Sequence, residues 1–281
     1  MPNHSSPQSP IPRRSYRVQF DGGQNYSLAG IIDRPAKDHD VRATLVFSHC
    51  FTCNKDLKAI VKISRSLCAL GVAVLRYDMT GLGGSDGDFS ETNFTSNMED
   101  LKAAIHFTER ELGTVTGLMG HSFGGAATLA ILSESLFSSS SNQKAKPVGI
   151  TLAAPSDTQH LAELLIRMNP EIESLGSGMV SIGGREWRIT RQMIDDFRSH
   201  KLPDRIGRIT NPTLLFHSPD DETVSYDHAL RIASLLQSSP NNRNPPSLIS
   251  LLGSDHLLTR TPSTIDWISQ SAASFLSRFS E

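Results

Sequence analysis

The sequence predicts an α/β fold: a mostly parallel sheet of eight strands, helices on both faces, and a small cap inserted late in the chain. Three observations carry that expectation. Short continuous apolar runs, such as residues 43–48 and 72–78, alternate with segments whose apolar residues recur at helical spacing. Glycines stand where helical segments stop, at Gly71 and Gly113. The pentapeptide Gly120-His121-Ser122-Phe123-Gly124 lies between a strand-like run and a buried helical one, the context that a strand-to-helix serine turn demands.

Taken in order, residues 16–20 alternate as a strand, Asp21-Gly22-Gly23 turns the chain, and residues 28–33 return as a second strand, an antiparallel lead-in hairpin. Residues 43–48 form the next strand and end at His49-Cys50-Phe51-Thr52-Cys53. Residues 55–70 repeat Leu57, Ile60, Ile63, Leu67 and Leu70 at helical spacing, and residues 72–78 are again strand-like. The glycine-dense Gly81 to Gly87 stretch reads as a plain loop rather than a phosphate loop, because no Gly-Lys-Ser/Thr follows it. A helix over 94–112, the elbow strand at 115–119 and its helix at 125–132 come next, then a polar serine loop at 138–141 and a strand at 148–153.

After Pro155 the rhythm breaks. Helical stretches at 161–168 and 192–198 flank a Gly183-Gly184 hairpin over 179–189, so residues 156–210 read as a cap over the carboxyl edge of the sheet. The pattern resumes with a strand at 213–217, a helix at 226–236, a Pro/Asn-rich loop at 238–246, a strand at 248–252 and a closing helix at 265–279. Residues 1–14, rich in Pro and Ser with no apolar signal core, read as a disordered lead-in, leaving 15–281 as one domain.

The totals narrow the function classes. With 38% hydrophobic residues in 281, a substantial core is available. A net charge of −2 offers no basic field for nucleic acid and favours a small neutral or apolar substrate. No stretch approaches the roughly 18 apolar residues of a membrane span. Three cysteines are too few for a disulfide scaffold and suit a reducing compartment, so a cytoplasmic location is expected.

A serine is a weak nucleophile without a base, and the base needs a third group to orient it. His256 follows the last strand; Asp220 and Asp221 follow the strand before it. The chain order Ser122, Asp, His agrees with one of the known serine-hydrolase orders. Asp221 is preferred over Asp220, Glu222 and the earlier Asp157, because His217-Ser218-x-x-Asp221-x-x-Val224 resembles the pattern around the hydrolase acid. The backbone N–H groups of Phe51 and Phe123 are the expected oxyanion donors. Cys50 and Cys53 have redox-motif spacing, but on this loop they read as small buried side chains rather than a thiol switch. Neither Asp255-His256 nor Asp157 with His160 has metal-site spacing, and no metal or organic cofactor is expected.

Together these residues resemble the α/β-hydrolase family over nearly all of the chain after residue 14. The similarity is closest to the hydrolase half of bacterial hydrolase–OsmC fusion proteins. It is carried by Phe47-Ser48-His49-Cys50-Phe51-Thr52-Cys53-Asn54-Lys55-Asp56, Thr80-Gly81-Leu82-Gly83-Gly84-Ser85-Asp86-Gly87-Asp88-Phe89, Thr92-Asn93-Phe94 and Asp255-His256-Leu257-Leu258. Cys50 departs from the His-Gly of related oxyanion loops and matches this subgroup. The resemblance implies Ser122 as nucleophile, Asp221 as acid, His256 as base, and a cap shaping an acyl pocket. It also implies a serine hydrolase, foremost a carboxylesterase on small acyl esters, with an OsmC-like protein as a partner. Thioesterase, amidase or peptidase, perhydrolase and a non-catalytic partner module are the alternatives.

Overall fold

Aliphatic runs too apolar for a one-sided sheet build the centre of the molecule. A computed structural model of the chain describes residues 12–36, 39–134, 146–238, 245–260 and 262–279. Its main sheet contains β1 (Arg13–Asp21), β2 (Ser27–Pro35), β3 (Ala43–Ser48), β4 (Val72–Tyr77), β5 (Gly117–His121), β6 (Val148–Leu152), β9 (Thr213–His217) and β10 (Ser247–Ser250). The strand order is β1-β2-β4-β3-β5-β6-β9-β10, with β1 and β2 antiparallel, β2 antiparallel to β4, and every later pair parallel. Arg13 and Arg14, assigned to the lead-in by sequence, instead pair with Pro35 and Arg34 in β1, because the alternating strand runs further back than its apolar residues do. Residues 1–11 and the serine loop at 138–141 lie outside the described residues, as does most of the loop at 238–246.

Side-chain alternation sends Leu45 and Phe47 to one face of β3 and Val46 to the other. On the first face they meet α1 (Lys58–Ala69) and α9 (Pro262–Phe279). The second face is covered by α2 (Phe94–Leu112), α3 (Phe123–Leu132) and α8 (Tyr226–Gln237). Every residue of α3 is buried, as expected of a helix apolar on all sides. Asn93 and Ser96 close a capping box at the start of α2, and Gly71, at φ +91°, takes the chain out of α1.

Between β6 and β9 the chain leaves the sheet through α4 (Gln159–Met168), the short α5 (Glu171–Ser174), the hairpin β7 (Ser177–Ile182) and β8 (Arg185–Thr190), α6 (Arg191–Ser199) and α7 (Leu202–Ile206). Sequence periodicity missed α5 and α7, each too short to show a period. This excursion is tied down by polar side chains. Asp196 accepts from the Phe94 amide at 2.8 Å and from the Thr95 hydroxyl at 2.6 Å, which satisfies orphan donors at the start of α2. Gln192 donates to the Thr92 carbonyl, and Thr190 to that of Ser90.

Candidate active site

The carboxyl ends of β3, β5, β9 and β10 deliver the functional side chains to one edge of the sheet. At the end of β5, Ser122 has φ 52° and ψ −118°, a left-handed conformation that a non-glycine residue adopts only when its surroundings impose it. The flanking glycines show what imposes it. A Cβ on Gly120 would stand 2.1 Å from the Gly124 carbonyl oxygen, and one on Gly124 would stand 2.4 Å from that of His49. The motif spacing is therefore a requirement of backbone contact.

Ser122 Oγ and His256 Nε2 are 3.0 Å apart, and His256 Nδ1 is 2.8 Å from Asp221 Oδ2. With the Nδ1–H donated to the carboxylate, Nε2 is left to accept from the serine hydroxyl. Asp221 also accepts from the amides of Thr223 and Val224. Burial alone would raise its carboxyl, but these hydrogen bonds together with His256 hold it below the usual range, so it stays ionised. Asp220 turns away and accepts from the Gly253 amide at 2.8 Å. Asp157 is engaged with His160 and Arg231, outside this chain of hydrogen bonds.

Phe51 sits at the second position of the tight turn Cys50-Phe51-Thr52-Cys53, closed by the Cys53 amide on the Cys50 carbonyl with Thr52 at φ 61°. Cys50 and Cys53 are not the separate small side chains expected from sequence. The turn brings their Cα atoms to 5.2 Å, and they are joined by a disulfide. Among the described residues, neither the Phe51 nor the Phe123 amide is taken up by a turn or loop hydrogen bond. Beyond the turn, Lys55 donates through both its amide and its Nζ to buried Asp78, which also holds the Gly84 amide. Arg76 joins in, bridging the Lys55 carbonyl, Asp56 and buried Asp33. The glycine-dense loop at 81–87 thus serves as the floor of this network: a Cβ on Gly83 would meet Asp78 at 2.2 Å.

Three buried histidines, each the last residue of its strand or the one after it, secure the three loops. His49 donates Nδ1–H to the Cys50 carbonyl and accepts the Met79 amide at Nε2. His121 donates Nε2–H to the His256 carbonyl, and His217 donates Nε2–H to the Val224 carbonyl. Burial lowers the basicity of all three, to about 3 for His121, so they are neutral donors. Sequence reading named these residues within motifs without giving them work. The available signal was a polar residue ending an otherwise apolar strand.

A cavity of about 1020 Å³ opens over Ser122 and His256. Its walls include the disulfide turn, Phe123, Leu161, Leu164, Leu165 and Met168 of the cap, and Leu257 and Leu258 of the loop after β10. Phe51 packs on Phe123 and on the cap residue Phe197, with ring centroids 5.4 and 6.0 Å away. Among the described residues no group of three or more metal-ligating side chains comes together, and no helix is long and apolar enough to cross a membrane.

The family described as "Serine aminopeptidase, S33" matches residues 39–244. The chain belongs to this family. The S33 match covers the turn at residues 50–53, the elbow and Asp221, and it ends ahead of His256. Among solved structures, this S33 member is similar to the esterase domain of a Rhodothermus marinus protein, at 31% identity and a TM-score of 0.70, covering 95% of this chain and 100% of that one. It also shares its fold with Est1E from Butyrivibrio proteoclasticus, described with bound ferulic acid, at 20% identity and a TM-score of 0.76, covering 93% and 99%. No curated protein sequence matches the chain. The fold is that of an α/β-hydrolase, and the family is one of serine hydrolases.

Proposed function

We propose that the protein is a carboxylesterase that cleaves small acyl esters through an acyl-enzyme on Ser122. The hydrogen-bonded series from Ser122 Oγ through His256 to Asp221 carries this reading. Ser122 attacks the carbonyl as His256 takes its proton, and the Phe51 and Phe123 amides receive the oxyanion. Protonated His256 returns its proton to the leaving alkoxide, then activates the water that releases the acid. Asp221 stabilises the imidazolium throughout.

The family description makes an aminopeptidase the second reading. Such an enzyme needs a carboxylate for the free ammonium of its substrate. Among the described residues lining the cavity the one carboxylate is Asp56, which is already paired with Lys55 at 3.1 Å and Arg76 at 2.8 Å. That favours an ester, as does the 31% identical esterase domain. A fluorophosphonate probe should label wild-type protein and leave Ser122→Ala unlabelled; absence of labelling in folded wild-type protein would refute the catalytic reading. p-Nitrophenyl butyrate should then be hydrolysed far faster than aminoacyl p-nitroanilides, and the reverse preference would install the aminopeptidase.

A further inference from the structure

We propose that this cavity selects substrates that carry an anionic group apart from the scissile carbonyl, held by Lys58, Lys62 and Arg185. The inference rests on the ester-hydrolase reading and names the substrate class of the same site. It replaces the neutral substrate expected from the overall charge of −2, a total that does not say which charges line the cavity.

All three cations line the cavity over Ser122. Lys58 and Lys62 are four residues apart on α1 and therefore share a face. Like charges at that spacing repel, and a cation in the first turn stands at the positive end of the helix dipole. No acidic residue occupies that first turn to compensate. Neither lysine is placed to stabilise its helix. Arg185 enters from the cap hairpin, where its guanidinium carbon lies 5.7 Å from the Trp187 ring centroid. Stacking fixes the planar group while its edge N–H donors stay available for an oxyanion.

Among the described residues none of the three has an ion-pair partner, and Asp56 is already committed to Lys55 and Arg76. A cleft lined by one sign of charge concentrates its field and raises the encounter rate of an oppositely charged ligand. To the same cavity α4 contributes the apolar side chains of Leu161, Leu164, Leu165 and Met168. The complementary substrate has an apolar chain and an ionised carboxylate or phosphate.

The test compares isosteric pairs. p-Nitrophenyl hydrogen adipate against its methyl ester places the anion on the acyl side; 4-butyryloxybenzoate against its methyl ester places it on the leaving group. In at least one pair the anionic member should have the higher kcat/KM by about tenfold at low salt, and the advantage should shrink as salt is added. Lys58→Glu/Lys62→Glu should reverse the preference, and Arg185→Ala should reduce it. Equal or better hydrolysis of the neutral member in both pairs, insensitive to salt, overturns the proposal while leaving the esterase intact. Inactivity toward all four esters, with no fluorophosphonate labelling, refutes the hydrolase reading and the proposal with it.

Discussion

The Nε2–H of His121 donates to the backbone carbonyl of His256 over 2.8 Å, so the residue before the elbow serine holds the residue whose ring faces that serine. The link joins β5 to the loop after β10 across 135 positions of sequence. Burial keeps the His121 ring neutral, so the carbonyl that takes its Nε2–H also fixes which tautomer the ring adopts.

His121→Leu removes that donor and leaves the His256 carbonyl unpaired. A small displacement of a base is costly, so kcat for p-nitrophenyl butyrate should fall about 10- to 100-fold with KM nearly constant. His121→Gln retains an N–H and should recover part of the loss. Equal rates in wild type and His121→Leu would show that the contact has no catalytic consequence.

Asp221→Asn keeps the shape of the carboxylate but favours the wrong imidazole tautomer, and kcat should drop by roughly 10⁴. Asp220→Asn alters only a contact with the Gly253 amide at the surface, and its rate should stay within about threefold of wild type. The reverse ranking in steady-state assays would move the acid to Asp220.

Reduction of the Cys50–Cys53 disulfide by a dithiol should release the turn that presents the Phe51 amide. A four-residue loop constrains the unfolded chain little, giving about 2 kcal/mol of stability, so the fold should survive. The effect should instead appear as a severalfold fall in kcat, reproduced by Cys50→Ala/Cys53→Ala. Cys68 is buried with its thiol pushed up to about 12, so alkylation should mark only the other two cysteines in folded, reduced protein. Identical kcat before and after verified reduction would separate the disulfide from catalysis.

Stability should begin to fall at an unusually mild acidity. Burial depresses His49, His121, His217 and His228 below their ordinary value of 6.5. The unfolded chain binds these protons first, so the histidine contribution is complete above pH 6.5 and drains away as pH drops toward the folded values, near 3 for His121. Asp33 and Asp221, held below 3.8, add their losses only at lower pH. Urea midpoints should be flat between about pH 7 and 8 and decline on the acid side before the carboxylates titrate. A midpoint constant down to about pH 4.5 would contradict this.

Lys55→Met should destabilise the fold by about 3 kcal/mol, since it leaves Asp78 buried with its charge only partly matched. Chemical denaturation would reveal a smaller value if water replaces the ammonium.

By itself the sequence determined the alternation of strand and helix, the elbow, the cap hairpin at Gly183-Gly184, and the candidates Ser122, Asp221 and His256, because these depend on local period and turn chemistry. Distances among residues 122, 221 and 256, and the separate partner that Asp220 takes, required the tertiary structure. In sequence the two adjacent carboxylates differ only by their place in the His217-Ser218-x-x-Asp221-x-x-Val224 pattern; the paths of β9 and β10 bring Asp221 to His256 and Asp220 to Gly253. The same holds for His49, His121 and His217, whose partners are carbonyls on loops, and a carbonyl is present at every residue and so leaves no mark in sequence. Burial, too, was decided in three dimensions. The disulfide needed the turn to bring two cysteines within reach, and only the folded chain brings Arg185 of the cap to the same cavity as Lys58 and Lys62 of α1.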